Sequence, residues 1–226
     1  MAASSIATRS GAGMLTVASV FKSGGSYFPK YVRVLRDAVR RNLTIPHRFV
    51  CLTDVDVPCE RIPLIHGWPS FYSKIELFRP GLFDGPVLYL DLDTVVHGNI
   101  DDLARVAATV GFAAVTDPWF GHFNSSIMAW TMDCTFLYER FRADAARFQR
   151  IHRKGGASYG DQGFTEATLR AAGVRFEYVD RLLPGLVCNY FHVGETGKVP
   201  DGSGICMMMT RPKPHEVEDW VVEHWR

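Results

Sequence analysis

Residues 87–103 read VLYLDLDTVVHGNIDDL, a short apolar run that leads directly into two carboxylates. Aspartates are almost never fully buried unless a partner neutralises them. Asp91 and Asp93 are two positions apart, so on an extended strand their side chains face the same side. Ligands of open α/β sheets bind beyond the carboxyl ends of the strands, where two hard oxygen donors suit Mg²⁺ or Mn²⁺. The stretch therefore predicts a cation site at a strand end, completed by substrate phosphates and water.

The composition is that of a folded chain without a strong overall charge. Its 226 residues are 47% hydrophobic and 22% charged, which suits one compact domain with a full core. The formal net charge of +1 gives no global field to attract nucleic acid or an anionic membrane. Five scattered cysteines without a C-x-x-C pair argue against a disulfide framework and a thiolate zinc site, and they favour a reducing compartment.

The amino-terminal 13 residues, MAASSIATRSGAG, are small and polar and lack the apolar segment of a signal peptide. We interpret them as a disordered leader or a remnant of cloning, followed by a single domain over residues 14–226. Because no apolar run approaches the ~20 residues that a membrane helix needs, we expect a soluble, cytoplasmic protein.

Short apolar runs rich in β-branched residues alternate with helix-like segments, which is the pattern of an α/β sheet covered by helices. Helical spacing follows Pro29 and predicts a crossover helix. A second helix is predicted after Asp133, with Leu137 and Phe148 on its apolar face. The segment 217–226, VEDWVVEHWR, has the spacing of a short amphipathic helix that closes the fold or meets a partner. The predicted strands are residues 15–21, 48–52, 87–90, 112–115, 126–130, 174–178 and 205–209.

Two other interpretations of the carboxylate pair remain open. One is a D-x-D that is merely solvated at the edge of a strand. The other is a phosphatase of the haloacid-dehalogenase type, whose strand also ends in D-x-D-x-T/V, with the first Asp as nucleophile and the second as general acid and base. Those enzymes usually open their catalytic domain with this strand, whereas a long α/β pattern precedes it here. Asp161 also lacks the second Asp that their later metal-binding motif carries at a short spacing.

Further motifs follow in order: SKIELF at 73–78, DPWFGHFNSSIMAW at 117–130, GDQGF at 160–164 and TRPKPHE at 210–216. With the D-x-D stretch, this series resembles GT-A-fold glycosyltransferases of the family-8 type, the glycogenin and bacterial lipopolysaccharide galactosyltransferase group. The resemblance implies an α/β fold of the GT-A, nucleotide-diphospho-sugar transferase type, with a Rossmann-like mixed sheet flanked by helices. It also implies metal-dependent transfer of a sugar from a nucleoside diphosphate, preferably UDP, to a hydroxyl acceptor such as a glycan, with retention favoured.

The resemblance implies a role for each residue that matches a motif. Asp91 and Asp93 are expected to hold Mn²⁺ or Mg²⁺ against the diphosphate. Lys74 is expected at the donor or the first Asp, and Lys213 is expected at the phosphates as a point charge. The other expected nucleotide-sugar-binding residues are Ala18, Ser19 and Val20 at the base and Asn124 and Ser125 in the sugar pocket.

The resemblance places Asp161 and Gln162 beside the anomeric carbon, as a candidate nucleophile or as stabilisers of the oxocarbenium-like transition state. Glycosyl transfer needs a carboxylate or an amide near the positive charge that develops on the sugar, which suits both side chains. Ordinary structural roles compete with each assignment. Lys74 fits a surface lysine, Asn124 a turn residue and Asp161 a helix N-cap.

The terminal motif departs from the family's pattern. The family's metal-binding histidine is replaced by Met207, with Met209 the nearest alternative, and Thr210 replaces a glycine. A thioether is a poor ligand for Mg²⁺ or Mn²⁺. Three explanations compete: the aspartates, phosphates and water hold the ion alone, His192 or His215 replaces the missing ligand, or the chain is a weakly active relative. A non-catalytic nucleotide-sugar binding module is the alternative outside the enzyme class.

Overall fold

Two β-sheets form the frame of the protein. The computed structural model describes residues 13–153, 155 and 159–226. Seven strands build a large sheet and three strands build a small one. The strands, in chain order, are β1 (Leu15–Phe21), β2 (His47–Thr53), β3 (Glu60–Pro63), β4 (Val87–Leu90), β5 (Thr94–Val96), β6 (Phe112–Thr116), β7 (Phe123–Trp130), β8 (Glu177–Tyr178), β9 (Val187–Asn189) and β10 (Ile205–Met207).

The large sheet is mixed, with the strand order β3-β2-β1-β4-β7-β6-β8. The neighbouring strands β3, β2, β1 and β4 are all parallel to one another. Strand β7 is antiparallel to both β4 and β6. The small sheet has the order β5-β10-β9, with β5 antiparallel to β10. This mixed sheet flanked by helices confirms the predicted fold class.

Helices cover both faces of the large sheet. Strand β1 is buried along its full length, and its side chains enter two separate hydrophobic clusters, Val17 in one and Val20 in the other. Two-sided burial explains why apolar residues stand at both odd and even positions of this strand. The helices are α1 (Lys30–Asn42), α2 (Asp101–Ala107), α3 (Thr135–Ala143), α4 (Ala145–Ile151), α5 (Gly160–Ala171), α6 (Val179–Leu182), α7 (Tyr190–Thr196) and α8 (Val221–His224), with 3₁₀ segments at Ser70–Phe78 and Pro214–Glu216.

The D-x-D pair lies in a turn rather than on the strand itself. Strand β4 ends at Leu90, and the carbonyl oxygen of Asp91 accepts a hydrogen bond from the backbone N–H of Thr94 at 3.1 Å. Strand β5 begins at Thr94 and leads away into the small sheet. The side chains of Asp91 and Asp93 nevertheless line the same cavity, so their common orientation comes from the turn and not from strand periodicity.

Several elements differ from the predictions. The single helix expected after Asp133 is divided at Asp144, whose carboxylate accepts a hydrogen bond from the backbone N–H of Arg147 and begins a second helix. Strands β3, β5 and β9 have only three or four residues, too few to show alternation in the sequence. The predicted strand at 174–178 shortens to two residues, and the carboxyl-terminal helix is one turn long. The expected leader lies outside the described residues except for Gly13.

The carboxyl-terminal segment packs on the core. Val221 and Trp225 are buried, and Trp220 lies against the same hydrophobic cluster. This arrangement supports the interpretation of the segment as one that closes the fold. Among the described residues, no helix combines the length and apolar character needed to cross a membrane.

Candidate active site

A cavity of about 390 Å³ opens where β1 and β4 end. Its walls come from the turns after these strands, the 3₁₀ segment Ser70–Phe78, the start of β7, the start of α5 and the chain after β10. Nine residues expected from the motifs line it: Val20, Lys74, Asp91, Asp93, Asn124, Ser125, Asp161, Gln162 and Lys213.

The first strand contributes its end to the cavity. Of the three residues expected at the base, Val20 lines the cavity. Ala18 and Ser19 are fully buried within β1 and do not line it. The ladder between β1 and β4 stops where Ala18 pairs with Tyr89, and β4 itself ends one residue later at Leu90. At Val20, β1 therefore extends beyond the end of β4, and this part of β1 borders the cavity.

Asp91 is held by a lysine and a tyrosine. The Lys74 ammonium lies 2.9 Å from Oδ1 of Asp91 and 3.6 Å from Oδ2 of Asp161, and it donates a hydrogen bond to Oγ of Ser125 at 3.2 Å. The hydroxyl of Tyr89 donates to Oδ1 of Asp91. Burial alone would lower the pKa of Lys74, but Asp161 and Asp91 raise this pKa above its ordinary value. Lys74 is therefore a charged, buried link between the D-x-D turn and the D-Q segment.

Asp161 lies in the first turn of α5 with its side chain buried. Its Oδ2 accepts a hydrogen bond from Oγ of Ser125 at 2.7 Å. Burial raises the pKa of this carboxyl, while Lys74 and Ser125 act in the opposite direction. The helix begins at Gly160, where φ is +66° and an added Cβ would come within 3.0 Å of the Phe71 ring. A glycine at this position lets the Asp161 turn approach the wall of the cavity closely.

Asp93 has a matching pair of partners from distant parts of the chain. Its Oδ2 accepts hydrogen bonds from the hydroxyl of Tyr27 at 2.8 Å and from the ammonium of Lys213 at 2.5 Å. The same ammonium lies 3.3 Å from the Tyr27 hydroxyl. Burial and the nearby charge of Asp91 raise the pKa of the Asp93 carboxyl, while Lys213 and Tyr27 oppose the rise.

Asn124 is fixed by three contacts at the start of β7. Its Oδ1 accepts a hydrogen bond from the backbone N–H of Ser126 at 2.8 Å. Its Nδ2 donates to Oδ2 of the buried Asp117 at 3.2 Å and lies 3.1 Å from the sulfur of Met209. Of the two methionines considered for the missing histidine, Met209 therefore faces the cavity, whereas Met207 is buried in the hydrophobic core.

The two alternative histidines lie outside the cavity lining to which Asp91 and Asp93 belong. Nδ1 of His215 shares a hydrogen bond with the hydroxyl of Tyr31, and its ring packs edge-on against Phe28. His192 lies on α7 with its side chain exposed. Neither residue contributes to the lining of the cavity. Within the described residues, no group of three His, Cys, Asp or Glu side chains is arranged to hold a metal ion.

The remaining donors fit a divalent cation that completes its shell elsewhere. Two carboxylates two positions apart, both facing one cavity, are the hard oxygen ligands that Mg²⁺ and Mn²⁺ prefer, and such ions usually share substrate phosphates and waters. The charge balance agrees: among the described residues, three lysines and four carboxylates line the cavity, but Lys22 is already paired with Asp54, which is not part of the lining, so two lysines are left for the four carboxylates. A diphosphate would enter such a cavity more readily with a cation. These carboxylates are Asp91, Asp93, Asp117 and Asp161, and the lysines are Lys74 and Lys213.

Some residues of the site were not identified from the sequence. Tyr89 reads as a core residue of the VLYL run, and Tyr27 precedes the first helix without any motif. Asp117 carried a signal in the DPWFGH stretch, because Asp is a typical first residue of a turn. Two large aromatic residues of that same turn, Trp119 and Phe120, also line the cavity and are exposed.

Comparison with known proteins gives structural neighbours but no sequence relatives. No protein-family model matches the chain, and no curated protein sequence matches it. The glycosyltransferase GlyE of Streptococcus pneumoniae TIGR4 superposes with a TM-score of 0.65 at 14% identity, over 93% of this chain and 60% of that one. The galactosyltransferase LgtC, solved in complex with donor and acceptor sugar analogues, gives a TM-score of 0.57 at 13% identity, over 88% of each chain. The bifunctional glycosyltransferase WbbM gives 0.60 at 12% identity, over 94% of this chain and 49% of that one.

These likenesses define the class of fold. The chain has the GT-A-like fold of these glycosyltransferases, with the same kind of mixed sheet flanked by helices. It spans about 60% of the length of GlyE and about half of WbbM. At such low identities the likeness extends to the fold alone, and the activity has to be argued from the cavity.

Proposed function

We propose that residues 14–226 form one catalytic unit, a metal-dependent glycosyltransferase that moves a sugar from a nucleoside diphosphate, UDP by preference, to a hydroxyl acceptor. One observation carries the proposal: two carboxylates, two lysines and the Asp161–Gln162 pair line one cavity at the carboxyl ends of the strands of a GT-A-like sheet. The structure of LgtC with donor and acceptor sugar analogues supports a sugar on each side of the reaction.

Asp91 and Asp93 would hold Mn²⁺ or Mg²⁺, which neutralises charge on the leaving diphosphate. Lys213, already 2.5 Å from Asp93, supplies a second positive charge to the same phosphates. The backbone beyond Val20 receives the base, since the β4 ladder ends before it. Asn124 and Ser125 face the donor sugar, and their contacts with Asp117 and Asp161 hold them in place before substrate binds.

The transfer exchanges one bond at the anomeric carbon for another. The acceptor oxygen bonds to this carbon as the bond to the diphosphate oxygen breaks with its electron pair, and the acceptor's hydroxyl proton leaves to the released diphosphate. Asp161, held by Ser125 and Lys74, and the neighbouring Gln162 face the positive charge that develops on the sugar. We propose that the anomeric configuration of the sugar is retained, because the motif set resembles that of retaining enzymes. The anomeric configuration of the product, determined by NMR, tests this.

Calorimetric titration with UDP, with and without Mn²⁺, tests the donor class. We expect Mn²⁺ to strengthen UDP binding and Asp93→Asn to abolish this gain. Asp102→Asn is the matched control, because Asp102 is an exposed aspartate paired with Arg105 outside the cavity. UDP binding that is absent, or that is indifferent to Mn²⁺, contradicts the proposal.

A non-catalytic nucleotide-sugar binding module is the second candidate, because Met207, which stands in the place of the family's histidine, lies in the core, and the neighbouring Met209 presents only a thioether to the cavity. Incubation with a panel of UDP-sugars and Mn²⁺ separates the two. Release of UDP that is lost in Asp161→Asn supports the transferase. Binding without UDP release, by hydrolysis or by transfer, supports the module. Hydrolysis of p-nitrophenyl phosphate that is lost in Asp91→Asn would instead revive the phosphatase interpretation.

A further inference from the structure

Two cysteines lie side by side in the small sheet, away from the donor cavity. Cys188 on β9 and Cys206 on β10 are direct partners in the ladder that joins these parallel strands. Neighbouring strands lie about 4.8 Å apart, which is within the Cα separation of about 4.4–6.8 Å that a disulfide spans. Both cysteines are free thiols. The backbone therefore already holds two thiols at a spacing that suits a disulfide.

Polar groups adjoin the Cys188 thiol. His97 is the first residue after β5, and its backbone N–H donates to the carbonyl oxygen of Gly204 at 2.9 Å. Its ring nitrogen Nε2 lies 3.3 Å from Oγ of Ser203. A hydrogen bond with Cys206 lowers the pKa of Cys188, while burial raises this pKa. Hydrogen bonds with His97 and Ser203 lower it further. These neighbours favour the thiolate, which is the reactive form of a cysteine.

The two thiols of the pair are not equivalent. Cys188 is 7% exposed and adjoins two partly exposed residues, His97 and Ser203, whereas Cys206 has no exposed surface. Hydrogen bonding with Cys188 and burial both raise the pKa of Cys206, so Cys206 stays protonated at neutral pH. Cys188 is thus the member of the pair that a small reagent from solvent can reach, and Cys206 is the member that can react with the product.

The other three cysteines have a different environment. Burial raises the pKa of Cys51 to about 12 and that of Cys59 to about 11. Burial also raises the pKa of Cys134. Buried thiols of this kind are inert packing groups. Cys59 is partly exposed, while the other four cysteines are buried. Exposure alone would therefore make Cys59 the reactive thiol, whereas the chemical environment selects Cys188.

We propose that Cys188 and Cys206 form a redox centre, in which hydrogen peroxide oxidises Cys188 and Cys206 converts the product into a reversible disulfide. A redox-sensing cysteine is typically a partly accessible thiolate with a second cysteine next to it. Reversible disulfides of this kind also occur in reducing compartments, where lasting structural disulfides are rare. The proposal is independent of the proposed function, because neither cysteine lines the donor cavity.

The oxidation takes two steps. His97 accepts the proton of the Cys188 thiol, and the thiolate sulfur attacks one oxygen of hydrogen peroxide. The O–O bond breaks, hydroxide leaves with the electron pair and takes the proton from His97, and Cys188 becomes a sulfenic acid. The sulfur of Cys206 then attacks the sulfur of Cys188, the S–O bond breaks, and the leaving hydroxide takes the proton of Cys206. Two thiols and one hydrogen peroxide thus give one disulfide and two waters.

Peptide mass spectrometry after graded oxidation tests the proposal. The reduced protein is treated with hydrogen peroxide at near-stoichiometric concentration, the remaining thiols are alkylated, and trypsin cleavage after Lys198 separates Cys188 from Cys206. We expect these two cysteines to lose their thiols together, about tenfold or more faster than Cys59, as one disulfide-linked pair of peptides that dithiothreitol separates. Faster oxidation of Cys59, or the absence of a disulfide between Cys188 and Cys206, overturns the proposal.

Variants test the role of each member. In Cys206→Ser, Cys188 should stop at the sulfenic acid, which dimedone captures. In Cys188→Ser, Cys206 should remain a thiol, because it has no exposed surface. We expect His97→Gln to slow the oxidation of Cys188 about tenfold or more. His224→Gln is the matched control, because it removes the neighbouring ring, 5.7 Å from that of His97, and leaves His97 in place.

Two outcomes of the variant series contradict the assigned roles. Oxidation of Cys206 at an unchanged rate in Cys188→Ser would show that Cys188 is not the thiol that reacts first. Equal rates of Cys188 oxidation in His97→Gln and His224→Gln would show that His97 does not activate the thiol. UDP binding is measured in parallel, and its absence while the disulfide forms would remove the donor assignment and leave the redox centre.

Discussion

Asp91 and Asp93 have the same kinds of partner, but these partners come from different parts of the molecule. Asp91 accepts hydrogen bonds from Tyr89 and Lys74, which lie on β4 and on the 3₁₀ segment just before it. Asp93 accepts hydrogen bonds from Tyr27 and from Lys213, which is 120 residues away in sequence. We call Asp91 with Tyr89 and Lys74 the Asp91 half, whose members are close together in sequence. We call Asp93 with Tyr27 and Lys213 the Asp93 half, whose members come from distant parts of the chain.

This difference suggests a division of labour between the two halves. Lys74 also contacts the buried Asp161 and Ser125, so its ammonium belongs to a network that the core surrounds. Lys213 follows the three-residue strand β10 on an irregular segment, where a cation can take over its contact with Asp93 and its ammonium can then bind a diphosphate. We therefore expect changes to the Asp91 half to act mainly on stability, and changes to the Asp93 half to act mainly on donor and cation binding.

Replacement of Lys74 should have the largest effect. In Lys74→Met the carboxylates of Asp91 and Asp161 lose their shared ammonium, and breaking a buried ion pair costs about 3 kcal/mol or more. For a chain of this length we expect Tm to fall by roughly 6–12 °C, measured by circular dichroism. Lys198→Met is the control, because Lys198 is 71% exposed and its pair with Asp201 should contribute less than about 1 kcal/mol. Equal Tm values for both variants would refute the structural role of Lys74.

Lys213→Met should be less damaging and, unlike Lys74→Met, reversible by a cation. Tyr27 still donates to Asp93 in this variant, so we expect about 2 kcal/mol of destabilisation in the absence of metal. Mn²⁺ should restore most of the lost Tm, because it binds the native carboxylates and not the unfolded chain. Turnover of the donor should fall about 100-fold through loss of a charge at the phosphates. Thermal unfolding with and without Mn²⁺ measures this difference between the two variants. If Mn²⁺ raises the Tm of Lys74→Met and Lys213→Met to the same extent, the two halves do not differ in the proposed way.

Much of the fold and of the cavity could be predicted from the sequence. The run of VLYL into DLD predicts a central strand that ends at a ligand site, and the family resemblance implies Lys74 at the donor or the first Asp and Lys213 at the phosphates. The tyrosine partners were missed for a physical reason. Tyr89 looks like a core residue until β4 is seen to end one residue later, which lets its hydroxyl reach Asp91. Tyr27 meets Asp93 only through the tertiary fold.

The two methionines show a similar limit. Met207 and Met209 are two apart, so strand periodicity alone directs both side chains to the same side. Strand β10 ends at Met207, and the chain then turns, so Met207 stays in the core while the sulfur of Met209 reaches Asn124. Only the position of the strand end separates the two residues, and strand ends are among the features least visible in a sequence.

The two tyrosines offer a finer test of the comparison. Tyr89→Phe removes a hydrogen bond to a charged acceptor inside the sheet, so we expect the free energy of unfolding to fall by about 1.5–2 kcal/mol. Tyr27→Phe should cost less than about 1 kcal/mol, because Lys213 still neutralises Asp93. Urea denaturation without metal measures both values. A larger loss in Tyr27→Phe than in Tyr89→Phe would show that the Asp93 half is the more important for stability.

The variant Met209→His tests whether a histidine at this position can bind the cation next to Asp93, as the resemblance described above implies. The Met209 side chain faces the cavity, so an imidazole there replaces a soft thioether by a nitrogen donor that Mn²⁺ accepts. We expect Mn²⁺ affinity, measured from the free Mn²⁺ signal in electron paramagnetic resonance with UDP present, to rise about tenfold, or about 1.4 kcal/mol. Met209→Leu should give no gain, and Met207→His should lower stability because it places a polar ring in the core. If Met209→His binds Mn²⁺ no better than the unmodified chain, the residue at this position adjoins the sugar pocket through Asn124 but lies beyond the reach of the cation.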